Sequence, residues 1–192
     1  TPVAPPGFVL GVDGNYSFDP KNSAYQRLGA GQTQDVTIPI TVTDSAGASS
    51  TQNLVITMTG KNDGAVIRGI DTGSVTEDYS VLGSKVETAG QLTVTDRDAG
   101  EDFFNAQSGS PGAHGAFSID PTGHWTYTAD NTQTAVQQLK AGDTLTDTFT
   151  VSSADGTSHT ITVTLKGSND APVLTAQTQS VDEDGASLTG RM

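Results

Sequence analysis

Three short acidic stretches carry the chemistry this sequence offers. Asn62-Asp63 stands in a polar linker, Glu77-Asp78 follows Val75-Thr76, and Asp96-x-Asp98 follows the alternating stretch Leu92-Thr93-Val94-Thr95. Calcium takes six to eight hard oxygen ligands from flexible loops: carboxylates, amides and backbone carbonyls. In an antiparallel sandwich the first strand leaves the entry pole and the second returns to it. On that topology Glu77 and Asp78 lie near the start of the first strand. Asp96 and Asp98 lie just past the end of the second, and Asn62 and Asp63 sit in the entering linker. All six then meet at one pole, with Glu101 as a further ligand candidate. The expectation is a Ca2+ site there. The competing reading is that these are solvated loop acids, which are common at a net charge of −13. Asn169, Asp170, Glu183 and Asp184 repeat the linker and the acidic pair, so an equivalent second junction is expected. Neither an EF-hand nor a glycine-rich calcium repeat is present. Gly100 stands at the fifth position after the start of Asp96-x-Asp98, and no glycine follows at the sixth.

Other chemistries find no support. The chain has no cysteine, so disulfides, thiolate zinc sites and a cysteine nucleophile are excluded. His114, His124 and His159 do not form a His-Glu-x-x-His pattern. Gly109-Ser110-Pro111-Gly112 is not a nucleophile elbow. Trp125 and Tyr127 alternate onto one face, where core packing is a stronger reading than sugar stacking. Asn15-Tyr16-Ser17 matches a glycosylation sequon but falls in a strand pattern. With 22 acidic and 9 basic residues no basic patch can assemble, which argues against nucleic acid. No apolar run is long enough to span a membrane, and no signal-peptide pattern opens the chain. The opening Thr1-Pro2-Val3-Ala4-Pro5-Pro6 reads as a cut inside a longer polypeptide. No catalytic constellation emerges, and the expectation is a non-enzyme.

The elements that position these acids are organised by a repeat. Gly60-Lys61-Asn62-Asp63 recurs as Gly167-Ser168-Asn169-Asp170, at an offset of 107. Gly14-Asn15-Tyr16-Ser17 matches Gly123-His124-Trp125-Thr126 at 109, and Leu28-Gly29-Ala30-Gly31 matches Leu139-Lys140-Ala141-Gly142 at 111. Val75-Thr76-Glu77-Asp78 matches Val181-Asp182-Glu183-Asp184 at 106. The period is one whole domain. Residues 1–63 are then the C-terminal part of one unit, 64–170 a complete unit, and 171–192 the opening of a third. The first unit lacks the counterpart of residues 64 to about 114, so it is expected to be loosely ordered or completed by another chain, with residues 171–184 as a candidate donor.

Local patterns are β throughout. Leu54, Ile56 and Met58 alternate, as do Ile161, Val163 and Leu165. Ala154-Asp155-Gly156 and Pro121-Thr122-Gly123 signal hairpin turns. Only Thr134 to Lys140 reads as helix, about two turns. Hydrophobic residues make up 33%, which suits a thin sandwich with one wet face per strand better than a thick core. The fold class is all-β: tandem immunoglobulin/cadherin-like Greek-key sandwiches.

Specific stretches resemble a known group. Gly90-Gln91-Leu92-Thr93-Val94-Thr95-Asp96-Arg97-Asp98-Ala99-Gly100-Glu101, Gly123-His124-Trp125-Thr126-Tyr127, Asp143 to Val151 and Gly167-Ser168-Asn169-Asp170-Ala171-Pro172-Val173 resemble a VCBS repeat of RTX-type adhesins. Pro6-Gly7-Phe8 through Gly14-Asn15-Tyr16-Ser17-Phe18-Asp19-Pro20 resembles a bacterial cadherin-like repeat. Residues 62–65 depart from the pattern, having Gly64-Ala65 where Ala171-Pro172 closes the second unit. The resemblance implies a secreted giant adhesin on a Gram-negative cell surface, serving attachment and biofilm. It implies neighbouring repeats of the same chain as partners, with a host or matrix glycan or protein as target. The expected function is a calcium-rigidified extender, and the alternative is a module that binds glycan or matrix directly.

Overall fold

A computed structural model describes residues 4–174, 176, 178–181, 183–186 and 189. Residues 66–166 form a two-sheet sandwich. One sheet contains β5 (Val66–Gly69), β7 (Lys85–Thr95), β8 (Gln107–Pro111), β9 (Gly115–Ile119) and β10 (His124–Asp130), in the order β5-β7-β10-β9-β8. The other contains β6 (Thr72–Thr76), β11 (Thr144–Ser152) and β12 (Ser158–Lys166), in the order β11-β12-β6.

Alternation explains the burial. Trp125, Tyr127 and Ala129 point inward from β10, and Phe149 and Val151 from β11. Ile161, Val163 and Leu165 do so from β12, while threonines occupy the opposite face. Leu92, Phe117, Trp125 and Tyr127 are all fully buried. Such side chains contribute roughly 1.5–3 kcal/mol each by leaving water. Phe117 stacks on Phe149 with ring centroids 4.7 Å apart. Trp125, Tyr127, Ile161, Val163 and Leu165 thus take the core positions their alternation predicts, and Val94 packs against that core partly buried.

The first strand changes sheets. β5 pairs antiparallel with β7, whereas β6 pairs parallel with β12, Val75 opposite Leu165. The crossover passes over Gly69, whose φ is +117°. A Cβ there would lie 2.4 Å from the Gln91 carbonyl oxygen, so a side chain is sterically excluded. Ile70 N–H then donates to Gln91 O, and Thr162 N–H to Asp71 O, one bond to each sheet.

Residues 8–59 reuse the same plan. β1 (Phe8–Leu10) pairs with β2 (Tyr16–Phe18), and β3 (Thr33–Thr43) with β4 (Ser49–Thr59). Phe8 faces Phe18 as Phe117 faces Tyr127, and Ile38 faces Leu54 as Phe149 faces Ile161. A second, smaller core gathers Phe8, Tyr25, Val36, Ile38 and Met58. The sequence offset is thus a spatial correspondence.

The helix is shorter than the sequence pattern predicts. α1 spans Thr134–Gln137, and Leu139 N–H donates to Val136 O, the tighter i to i−3 bond that closes a helix. Lys140 N–H then turns to the Asp143 carboxylate instead of extending the helical ladder.

Candidate metal centre

The acids collect at both ends of the sandwich, not at one. At the entry pole, β7 stops at Thr95 and the chain turns. Asp96 Oδ1 accepts the N–H of Asp98 at 2.9 Å, the local bond expected of a short acid in a turn. Asp98 is 2% exposed, and its Oδ2 accepts the N–H of Asp63 at 2.8 Å. Asp96 Oδ2 and Asp98 Oδ1 are buried and accept no hydrogen bond.

Asp155 joins them from the β11–β12 hairpin. It accepts from the Ser153 hydroxyl, from Thr157 N–H at 3.0 Å, and from Ala65 N–H at 3.1 Å. Asn62 Nδ2 reaches the same carboxylate at 3.4 Å. Desolvation pushes its pKa up, but the Ser153, Thr157 and Ala65 hydrogen bonds outweigh that and hold it well below the usual range. It therefore stays ionised.

Residues 8–59 close the other side. Ala99 N–H donates to Arg27 O at 3.1 Å. A Cβ at Gly29 would stand 2.6 Å from Glu101 Oε1, so that carboxylate lies against the Gly29 backbone. Glu101 is shifted up, first by desolvation and then by the negative charges of Asp98, Asp96 and Asp155. A cavity of about 320 Å³ opens between the two bodies, lined in part by Leu28, Met58, Gly60, Asn62, Asp63 and Asp98.

Glu77 and Asp78 stand at the exit pole, which corrects their expected meeting with Asp96 and Asp98. The reason is the crossover: β6 runs parallel to β12 along the sandwich and ends beside Lys166. Glu77 N–H donates to Lys166 O, and Glu77 Oε1 accepts Ser168 N–H at 2.8 Å. Glu77 is 1% exposed, and its Oε2 is buried without a partner. Asp78, held at φ +57°, exchanges bonds with the buried Asn131. Its N–H donates to Asn131 Oδ1 at 3.1 Å, and Asn131 Nδ2 donates to its Oδ1 at 2.7 Å. Hydrogen bonds from Asn131 and then Gln137 lower the Asp78 pKa.

Asn169 and Asp170 follow Ser168 and are exposed, with Asn169 Nδ2 donating to Asp170 O. Glu183 and Asp184 form an exposed turn, and Asp182 lies outside the described residues. Asp155 and Asn131 are the site residues missed by sequence reasoning. The Ala154-Asp155-Gly156 turn signal located Asp155 but not its contact with the linker 90 residues earlier.

Among the described residues, no three histidine or carboxylate side chains converge into a ready-made metal cage. What is present is a set of orphaned carboxylate oxygens: Asp96 Oδ2 and Asp98 Oδ1 at one pole, Glu77 Oε2 at the other. A buried ionised oxygen without a donor is costly unless a cation or proton answers it. Carboxylates with linker amides and carbonyls make an all-oxygen donor set, which suits a hard cation and not zinc or copper.

The described residues form an all-β sandwich with acids gathered at its two linkers. The chain belongs to the bacterial cadherin-like domain family, whose model matches residues 62–167. A search of curated proteins found no match.

Proposed function

We propose that the chain is a calcium-rigidified extender segment of a secreted, RTX-type bacterial surface adhesin, supporting attachment and biofilm. The observation that carries this reading is the pair of orphaned acid groups at opposite poles of one sandwich, each beside an inter-domain linker. The cadherin-like family supports an extracellular adhesion repeat. No helix among the described residues is long and apolar enough to cross a membrane.

The residues act as follows. Asp98 holds the linker through Asp63 N–H, and Asp155 holds it through Ala65 N–H. Glu101 reaches the facing body at Gly29. Without a counter-charge, Asp96, Asp98, Asp155 and Glu101 repel one another, and the junction is free to bend. Bound calcium supplies the positive charge that lets these oxygens share one locus. Extracellular modules bind calcium with dissociation constants of about 10⁻⁴–10⁻³ M. Such a site fills outside the cell and stays empty in the cytosol.

Differential scanning calorimetry tests the reading. A rise in melting temperature at millimolar calcium, absent with magnesium, is expected. No shift at millimolar calcium would leave the acids as solvated loop residues and overturn it. The alternative, direct glycan binding, has no aromatic platform in Trp125 and Tyr127, which are both fully buried. A glycan array on the intact chain separates the two.

A further inference from the structure

Residues 19–28 and 130–139 are built alike. Asp19 Oδ1 accepts Lys21 N–H as Asp130 Oδ1 accepts Thr132 N–H, and Tyr25 is buried where Val136 is. Asn22 and Gln133 stand before the two short helical turns, Ser23–Tyr25 and Thr134–Gln137. That register sets Lys21 on Thr132 and Arg27 on Gln138. Both counterparts are neutral, so this stretch of the fold does not itself require a cation at either position.

The two cations instead meet a third across the junction. A groove of about 530 Å³ is lined by Lys21, Ser23, Gln26 and Arg27 on one side and by Asp96 and Arg97 on the other. Ala99 N–H, donating to Arg27 O at 3.1 Å, ties the two sides together. The chain has nine basic residues against 22 acidic ones, yet three of the nine share this groove. All three are exposed. None is neutralised by an acid: the ion pairs among the described residues are His114–Asp147 and His159–Asp71. Asp96 turns one oxygen to Asp98 N–H and pairs with neither guanidinium.

Unpaired cations gathered in a groove attract an anion. Two guanidinium groups offer forked donors that match a planar carboxylate. The Ser23 hydroxyl and the Gln26 amide add neutral hydrogen-bonding groups of the kind sugar hydroxyls need. No aromatic side chain lines the groove, so charge and hydrogen bonds replace stacking there. The nearby acids Asp96 and Asp98 disfavour a dense polyanion such as duplex DNA, which carries one charge per about 1.7 Å of axis. We propose that this groove binds a sparsely charged acidic polysaccharide, seating a uronate carboxylate among Lys21, Arg27 and Arg97.

A coupling follows that rests on the calcium reading. The groove shares Asp96 with the candidate cation site. An ion held by Asp96 and Asp98 cancels the negative field beside Arg97, so uronate binds more tightly in calcium. The linkage is reciprocal, and uronate tightens calcium by the same factor. The segment then grips an acidic matrix where its junction is also rigid.

Isothermal titration calorimetry of the full chain with trigalacturonate, at physiological ionic strength, tests the groove. Binding in millimolar calcium is expected, with its loss when the trisaccharide is methyl-esterified. Arg27→Gln combined with Arg97→Gln should weaken binding about tenfold or more, as expected for lost hydrogen bonds to a charged group. The double variant should keep the calcium-dependent rise in melting temperature, which shows that it is folded. On a glycan array the signal should be confined to uronate-bearing sugars and disappear in the double variant, which marks this groove and not an aromatic module. No binding at millimolar trisaccharide, equal binding of the ester, or an unchanged affinity in the double variant overturns the groove. The last result would leave calcium itself as the bridge to the carboxylate. Tighter binding of a short DNA duplex overturns the assignment to a polysaccharide. Arginine-dependent binding that is equal in calcium and in chelator upholds the groove and counts against the coupling. A missing calcium shift in melting temperature strikes the calcium reading and leaves the groove standing.

Discussion

Asp98 receives the backbone N–H of Asp63 at 2.8 Å, so the carboxylate that ends the β7 turn also fixes the linker entering the sandwich. One oxygen of Asp98 does this structural work and the other is left buried without a donor. The division suggests how to separate ligand from scaffold. An Asn at 96 and 98 keeps an acceptor for the Asp63 and Asp98 N–H groups while removing charge. Asp96→Asn with Asp98→Asn should abolish the calcium-dependent rise in melting temperature and leave the calcium-free value unchanged or slightly raised. For the unaltered chain, calcium at 100 times its dissociation constant adds about 2.7 kcal/mol. That corresponds to a rise on the order of 10 °C for a domain of this size. Calorimetry with and without calcium reads both arms.

Two poles imply two independent effects. Glu77→Gln retains an acceptor for Ser168 N–H but removes the charge of the buried Glu77 carboxylate from the exit pole. It should reduce calcium uptake without affecting the entry pole. Combined with Asp98→Asn, the losses in calcium stabilisation should add to within about 0.5 kcal/mol, as for distant sites. A strongly non-additive cycle would mean that Glu77 and Asp98 share one ion.

Asp147 is a fully engaged buried carboxylate. It accepts from Ala113, His114 and Gly115 N–H groups, from His114 Nδ1 at 2.8 Å, and from the Tyr127 hydroxyl at 2.8 Å. Desolvation raises its pKa, but the bonds from the His114 backbone, Tyr127 and the His114 ring prevail and lower it. A lowered folded-state pKa gives stability that is present above the unfolded value, about 3.9, and is lost as pH falls through the folded value. Urea denaturation should therefore show a loss below about pH 4. Asp147→Asn should flatten that acid limb and cost about 1.5–3 kcal/mol at pH 7, since bonds to a charged acceptor are the stronger kind.

Trp125 packs flat on glycine. A Cβ on Gly90, its cross-strand neighbour, would lie 2.5 Å from the indole, and one on Gly73 would lie 2.8 Å from it. The indole N–H donates to Ile70 O at 2.7 Å. Gly90→Ala should cost about 1–3 kcal/mol by overpacking. As the only tryptophan, Trp125 reports the change directly: its emission should be blue-shifted in the native state and move red at a lower denaturant midpoint in the variant.

The repeat, the strands and the acidic motifs were legible in the sequence because each rests on local pattern. Alternation put Ile161, Val163 and Leu165 inward. It also put Asp147 on the face of Phe149 and Val151, where an inward acid was the one sign of a buried network. The sequence repeat is also a spatial one, seen in the matched pairings Ile38–Leu54 and Phe149–Ile161, at offsets of 111 and 107. What local pattern does not encode is which end of the sandwich a motif reaches. Glu77 follows β6 by the same kind of turn wherever β6 pairs. Only the crossover at Gly69, which takes the strand from β7 to β12, delivers it to the exit linker. Asp155 is similar: its turn is local, but its bond to Ala65 joins residues 90 positions apart. Strand pairing between distant segments decides both placements, and it depends on tertiary packing that no stretch of sequence carries alone.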